Sequence, residues 1–373
     1  MKKVITAQKL FLIISLISCA SLVKAQSSVQ LNLLGQVEIP YNYSFQDTPI
    51  GGLSGLSYDS TNQTFYVISD DRSDLASARF YSFKITLNGR GKLVKGGINW
   101  QAMHTLKTKA GKNYAQGAID PEGITVGPKG LIYISSEGDP QKNVAPFINA
   151  YSTDGIYKKS LPIPDEYWPA NPQKRTHFGI RENLAFEGLS ISPDGKRLYT
   201  AIENALLQDG PAADSTHSSP SRMMVYDMPS GHIAHQYEYE VSPVHFTGAS
   251  HGEFSVDGLS DVLAIDNSGH LLAFDRNYVA GQGNKIYLYE VSSKEATDIK
   301  DVSSLKKNDR PVEPVNKTLV ANMSDYGITI DNFEGLTIGP KLQNGDRLLL
   351  MVSDNNFSSS QKTLFTAFSL RVK

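Results

Sequence analysis

Two glutamates, Glu187 and Glu203, stand on either side of a turn signal at Pro193-Asp194-Gly195. The segments between them, Phe186 to Ser192 and Arg197 to Ile202, are rich in β-branched and apolar residues and read as short strands. A hairpin brings the chain back to its start, so both carboxylates are expected at one open end. Carboxylates held together repel each other unless a cation or a shared proton compensates them. The chemistry this pattern suits is cation binding or proton handling.

The same unit recurs along the chain: Gly-Leu or Gly-Ile, a short strand, a turn, a second strand, then an acid. It begins at Gly52-Leu53-Ser54-Gly55 and ends at Asp70-Asp71-Arg72; it recurs from Asp120-Pro121-Glu122-Gly123 to Glu137. After the unit already described, it reappears from Asp257-Gly258-Leu259-Ser260-Asp261 to Asp275-Arg276, and from Asn332-Phe333-Glu334-Gly335 to Asp354. If each hairpin is the inner pair of a sheet, the flanking acids gather at one mouth. That set is Asp70 or Asp71, Glu122 with Glu137, Glu187 with Glu203, Asp261 with Asp275, and Glu334 with Asp354. Counted from the turn, Asp261 matches Glu187 better than Asp257 does, and Ser54 leaves the first unit without its acid.

The elements that must position these residues are strands. Helical periodicity is nearly absent after the first twenty-five residues, and short apolar alternations punctuated by Gly, Pro, Asn and Asp dominate. The marker glycines Gly55, Gly123, Gly188, Gly258 and Gly335 lie 68, 65, 70 and 77 residues apart, with further strand candidates such as Phe80 to Leu87 and Lys285 to Val291 between them. Four strands per unit, repeated around a ring, predict an all-β propeller of five or six four-stranded blades. Ring closure is expected to pair a strand at 28–38 with the C-terminal strand around Thr363 to Val372.

The chain has 373 residues, 40% hydrophobic and 20% charged, with a net charge of -2, which suits a large soluble core and gives no electrostatic case for a nucleic-acid partner. Lys2, Lys3 and Lys9 precede an apolar run from Leu10 to Ile17 and the small-residue site Val23-Lys24-Ala25. Residues 1–25 therefore read as a signal peptide and 26–373 as one secreted or periplasmic domain. Leu16-Ile17-Ser18-Cys19 also matches a lipobox, so a lipoprotein anchored through Cys19 is the alternative. Cys19 is the only cysteine, which excludes disulfides and thiolate metal sites, and no later apolar run is long enough for a transmembrane helix. A monomer is expected.

These motifs resemble the bacterial family called esterase-like activity of phytase. The resemblance rests on Gly52-Leu53-Ser54-Gly55-Leu56, Asp120-Pro121-Glu122-Gly123, Ser135-Ser136-Glu137-Gly138 and Gly179 to Leu189, followed by Ser260-Asp261, Asp331 to Leu336 and Val352 to Phe357. It covers nearly all the chain from about Leu34 onward. The resemblance implies a phytase-like or phosphodiesterase-like hydrolase in which carboxylates hold one or more Ca²⁺ ions and a small phosphorylated substrate, a phosphomono- or diester, is cleaved. Within it, the metal ligands would be Asp70, Asp71, Glu122, Glu137, Glu187, Glu203, Asp261, Asp275, Glu334 and Asp354. Glu187, Glu203 and Arg181 would be catalytic, and Arg72, Arg181 and Arg276 would bind phosphate, since a guanidinium matches phosphate oxygens bidentately.

A different class of function also fits: a non-catalytic envelope propeller that binds a ligand or partner and carries a structural Ca²⁺. Gly248-Ala249-Ser250-His251-Gly252 matches G-x-S-x-G, but no helical pattern follows it, as a nucleophile elbow would need. The scattered histidines, His232 and His235 among them, contain no zinc motif. Tyr167-Trp168-Pro169 reads as a loop anchored on the propeller face or as a substrate lip.

Overall fold

The computed structural model describes residues 27–244 and 254–373. Its regular secondary structure is almost wholly strand. After β1 (Val29–Ile39), a small ribbon of β2 (Ser44–Phe45) and β3 (Thr48–Pro49) leads into the first blade. Blade one is β4 (Leu53–Asp59), β5 (Thr64–Ser69), β6 (Arg79–Leu87) and β7 (Leu93–Thr105). Blade two is β8 (Pro121–Val126), β9 (Ile132–Ser136), β10 (Phe147–Tyr151) and β11 (Tyr157–Leu161). Blade three is β12 (Phe186–Ile191), β13 (Arg197–Ile202), β14 (Ser219–Asp227) and β15 (His232–Val241). Blade four is β16 (Ser255–Ala264), β17 (His270–Val279), β18 (Gly283–Ser292) and β19 (Asn316–Asn322). Blade five is β20 (Asn332–Lys341), β21 (Arg347–Asp354) and β22 (Thr363–Val372), completed by β1 on its outer edge.

The protein is thus a five-bladed β-propeller; among the described residues there is no sixth blade. The long repeat is taken up by rim loops. Closure follows the expected pairing, with Val29 opposite Val372 and Ile39 opposite Thr363 in an antiparallel ladder. The inner strands β4, β8, β12, β16 and β20 contact one another in a closed ring.

Near-continuous burial along the inner strands puts side chains into both blade faces, and the core is accordingly divided into five clusters, one at each blade–blade interface. Leu272 and Phe274 of blade four meet Phe333 and Met351 of blade five, for example, while Ile68 and Phe80 of blade one meet Ile124 and Ile134 of blade two. No helix among the described residues is long and apolar enough to cross a membrane.

Near the axis the inner strands approach so closely that side chains do not fit between them. A Cβ on Gly55 would lie 2.5 Å from the Glu122 carbonyl oxygen, one on Gly123 2.5 Å from that of Glu187, and one on Gly188 2.5 Å from the Val262 amide nitrogen. None of the three has a positive φ, so proximity rather than backbone conformation requires glycine. Gly123→Val should therefore cost about 3 kcal/mol, whereas Gly89→Ala, with nothing within 4 Å of the added carbon, should be nearly neutral. Urea denaturation of the two variants checks this.

Candidate functional site

Every inner hairpin carries a bulge at the same height. Leu53 pairs with Ser69 and Gly55 with Ile68; Leu259 pairs with Asp275 and Asp261 with Phe274; Phe333 pairs with Ser353 and Gly335 with Val352. In blades two and three the register likewise shifts between Pro121 and Ile124 and between Phe186 and Leu189. The extra residue breaks the alternation and re-aims its side chain. The bulges place Ser54, Glu122, Glu187, Ser260 and Glu334 at equivalent positions around the axis.

A second ring takes the matching place on the second strands, just past their ends in blades one to three and within them in blades four and five: Asp70, Glu137, Glu203, Arg276 and Asp354. Eight of these ten residues, all but the two serines, line a cavity of about 1470 Å³ at one mouth of the channel. The serines act within the scaffold: Ser54 Oγ donates to the Glu122 carbonyl at 2.8 Å and Ser260 Oγ to that of Phe333 at 3.2 Å.

This register corrects the reading of blade four by one residue. Ser260, not Asp261, stands where Glu187 stands, and Arg276, not Asp275, occupies the place of Glu203. Asp261 takes the place of the marker glycine instead of Gly258, and its carboxylate accepts the amides of Val262 at 2.8 Å and Leu336 at 2.7 Å. Asp275 accepts from Tyr239 Oη at 2.5 Å and Lys317 Nζ at 2.7 Å; neither acid lines the cavity. A single step along a strand turns a side chain to the other face, so counting from the turn cannot see a bulge.

Asp71 lines the cavity, but its carboxylate is consumed by the amides of Asp74, Leu75 and Ala76 and by the buried Arg79 at 2.6 Å. These bonds outweigh the effect of burial and hold its pKa below the ordinary value. Arg79 also donates to Tyr81 Oη, so the pair braces the rim loop that carries Asp70 and Arg72. Asp209 and Arg222 form the same kind of fully buried pair under the 203–218 loop of blade three.

The three arginines are also engaged. Arg72 donates from Nε and Nη2 to both oxygens of Asp120, each at 2.6 Å, and from Nη2 to Asn183. Arg181 donates to the carbonyls of Ala205 at 2.8 Å and Gly210 at 2.5 Å. Arg276 reaches Glu203 at 2.8 Å, Asn332 at 2.8 Å and Glu334 at 3.6 Å, and its Nε is buried without a partner. Burial disfavours the Arg276 charge, but Glu203, Glu334, Glu187 and Asp354 outweigh it and raise its pKa.

Two groups of carboxylates are close enough to share a cation. Ligand oxygens of Asp120, Glu122 and Glu137 all lie within 4.8 Å of one another, and so do those of Glu137, Glu187 and Glu203. Glu137 belongs to both, and its Oε1 is oriented by the Ala185 amide at 2.6 Å. Asp120 was not foreseen; its position before Pro121 has Gly52, Ala185, Gly258 and Asn332 as counterparts, so no repeated acid marks it. Glycine at two of those places makes room: a Cβ on Gly258 would lie 2.0 Å from Glu203 Oε1, and one on Gly52 1.9 Å from Asp70 Oδ1.

Burial first, then the neighbouring carboxylates, push Asp70, Glu122, Glu137 and Glu187 well above the ordinary carboxylate range. Burial also lifts Glu334 to about 8 and Asp354 to about 6, with Arg276 opposing. An all-oxygen, buried, charge-excess donor set fits a hard divalent cation such as Ca²⁺, and each triad leaves coordination positions for further oxygens. No histidine among the described residues lines the cavity; His235 pairs with Asp298 on the outer strand β15. Tyr167 is buried against Phe186 and donates to Gln236, and Trp168 stacks under Arg175, so this segment is an anchored loop. The Ser250 motif and Cys19 lie outside the described residues.

Residues 48–357 match the Phytase-like family, described as esterase-like activity of phytase. The chain belongs to that family. It is also 26% identical over 220 residues to an uncharacterized secreted protein of Arthroderma benhamiae, a match that covers 52% of this chain and 41% of the relative. Among solved structures, a thermostable family-43 glycoside hydrolase superposes with a TM-score of 0.46 at 11% identity, covering 89% of this chain and 96% of that one. An endo-arabinase from Bacteroides thetaiotaomicron gives 0.44 at 11% identity, covering 90% and 98%.

The raised carboxylates set a pH dependence. A folded pKa above the ordinary value means that the folded chain holds protons the unfolded chain has lost, from about pH 4 up to about pH 6 for Asp354 and about pH 8 for Glu334. Stability of the cation-free protein should therefore fall as pH rises through that window. The thermal midpoint in EDTA is expected to drop by several degrees from pH 5 to pH 8, and millimolar Ca²⁺ should remove most of the slope. Arg79→Met, which strands the Asp71 carboxylate, should cost about 3–5 kcal/mol by urea denaturation.

Proposed function

We propose that this chain is an exported, Ca²⁺-dependent hydrolase of phosphate esters acting at the acidic channel mouth. The observation that carries the reading is the pair of carboxylate triads sharing Glu137. Asp120, Glu122 and Glu137 would hold one cation, and Glu137, Glu187 and Glu203 a second. Bound there, two divalent cations would supply Lewis-acid polarisation of the phosphate and acidification of water. Family membership supports hydrolysis, and the N-terminal segment together with the secreted relative supports export to the outside or the periplasm.

The chain's own residues have separable tasks. Glu187 and Glu203 are the ligands nearest the chemistry. Arg72, whose Nε and Nη2 serve Asp120 and Asn183, would offer its Nη1 to the phosphate. Arg276 offsets part of the acidic charge between Glu203 and Glu334. Glu334, with a pKa of about 8, is suited to hold and release a proton near neutral pH. Arg181 holds the loop at Ala205 and Gly210 in place. The bonds that all three arginines make to protein acceptors also favour a second reading, a binding propeller with structural Ca²⁺.

Hydrolysis of p-nitrophenyl phosphate esters and carboxyl esters, with Ca²⁺ and with EDTA, decides between the readings. Phosphoester turnover should require Ca²⁺, and Glu137→Gln should lower kcat/KM by at least about a hundredfold. The amide is nearly isosteric with the protonated acid that burial favours, so the variant should keep its thermal midpoint in EDTA. Turnover that survives EDTA but is lost in Ser250→Ala would show a serine esterase, and no turnover by Ca²⁺-loaded protein would leave the binding propeller.

A further inference from the structure

The mouth is divided between two kinds of surface. Both carboxylate triads belong to blades two and three and the segments that lead into them. The remaining arc, from blade four through blade five to blade one, bears all three aromatic rings of the lining, with Phe254 and Tyr278, then Ile330 and Phe357, then Leu75, whereas the triad side carries Leu184 and the smaller Pro211, Ala212 and Ala213. Phe254 is 68% exposed and Leu75 60%, although both are large hydrophobic side chains. Phe254 and Tyr278 lie with ring centroids 6.3 Å apart, and the Phe357 ring covers the backbone at Gly51 and Gly52. Such residues on one side of a polar cleft are where an apolar part of a ligand gains by leaving water.

Charge points the same way. Twelve carboxylates and three arginines line the cavity, with no lysine among the described residues. The arginines already serve Asp120, the carbonyls of Ala205 and Gly210, and Glu203 with Glu334. Counted at formal charge, two divalent cations bring four positive charges and still leave an excess of five negative ones. A substrate carrying several phosphates would bring more negative charge into a mouth whose three arginines are already bonded to protein acceptors.

We infer that the substrate is a phosphodiester, singly charged, with an apolar or aromatic substituent that rests on the arc formed by Phe254, Tyr278, Ile330, Phe357 and Leu75. This rests on the phosphoesterase reading of the same site. The phosphate lies over the triads of blades two and three, and the apolar group over blades four, five and one. In the reaction a water oxygen forms a bond to phosphorus while one ester P–O bond breaks. The departing alkoxide takes a proton, giving an alcohol and a phosphomonoester.

The test compares bis(p-nitrophenyl) phosphate, methyl p-nitrophenyl phosphate, p-nitrophenyl phosphate and inositol hexakisphosphate with the Ca²⁺-loaded protein. The bis-aryl diester should lead, by about tenfold in kcat/KM over the monoester and about a hundredfold over the hexakisphosphate. The Leu75→Ser/Phe254→Ser variant should raise KM for the bis-aryl diester about tenfold and shrink its advantage over the methyl ester. Both side chains are exposed, so an unchanged thermal midpoint is expected. Calorimetric binding of diphenyl phosphate, a slowly reacting diester, separates the two levels of the argument. Weakened binding in the variant supports the subsite even if no ester is turned over, in which case the hydrolase reading falls alone. Preference for the hexakisphosphate, or diphenyl phosphate binding that is absent or unchanged in the variant, overturns the proposal while the hydrolase reading stands or falls on the other assays.

Discussion

The close approach of five inner strands to one axis governs this molecule. It excludes Cβ atoms at Gly55, Gly123 and Gly188, and it forces carboxylates projected toward the mouth into a shared volume. With one bulge per hairpin, seven acids and a single arginine occupy the two rings at the channel mouth. Such an arrangement raises the free energy of its own charged form, which is why burial and mutual repulsion both lift these pKa values. Any cation held there would have to displace the protons that burial favours.

The architecture was legible because it repeats. Five turn-flanked hairpins, glycines near 70-residue spacing and strand signals at both ends specify a ring closed by its termini. The site was legible in part, since Glu122, Glu137, Glu187, Glu203, Glu334 and Asp354 follow the repeat and line the cavity. What the repeat hid is instructive. In blade four the bulge falls at Ser260, so a count from the turn selects Asp261 and Asp275 while the ring takes Arg276. Asp120 stands outside the repeated pattern, and Asp71 resembles a ligand only until its bonds to Arg79 and three amides are seen. Sequence shows which residues are present; the bulge decides which way they face.

Rigidity at the rim has its own source. The buried pairs Asp71–Arg79 and Asp209–Arg222 tie rim loops of blades one and three to third strands, β6 and β14, of their own blades. Buried ion pairs contribute little net stability, but they penalise alternatives that leave one partner alone. Here they fix the loops that carry Asp70, Arg72 and the approach to Asp214, and thereby the outline of the cavity.

Blade five is assembled from residues 29–39 and 332–372, with almost the entire chain between them. Its outer strand acts as a latch on a spring: each of the other four blades is contiguous in sequence, but the circle has no lasting shape until β1 finds β22. Contacts so distant along the chain form late and slowly. Persistence of the folded ring is therefore a matter of how rarely that single seam opens, and a pull applied to either end of the chain would load the same ladder of hydrogen bonds.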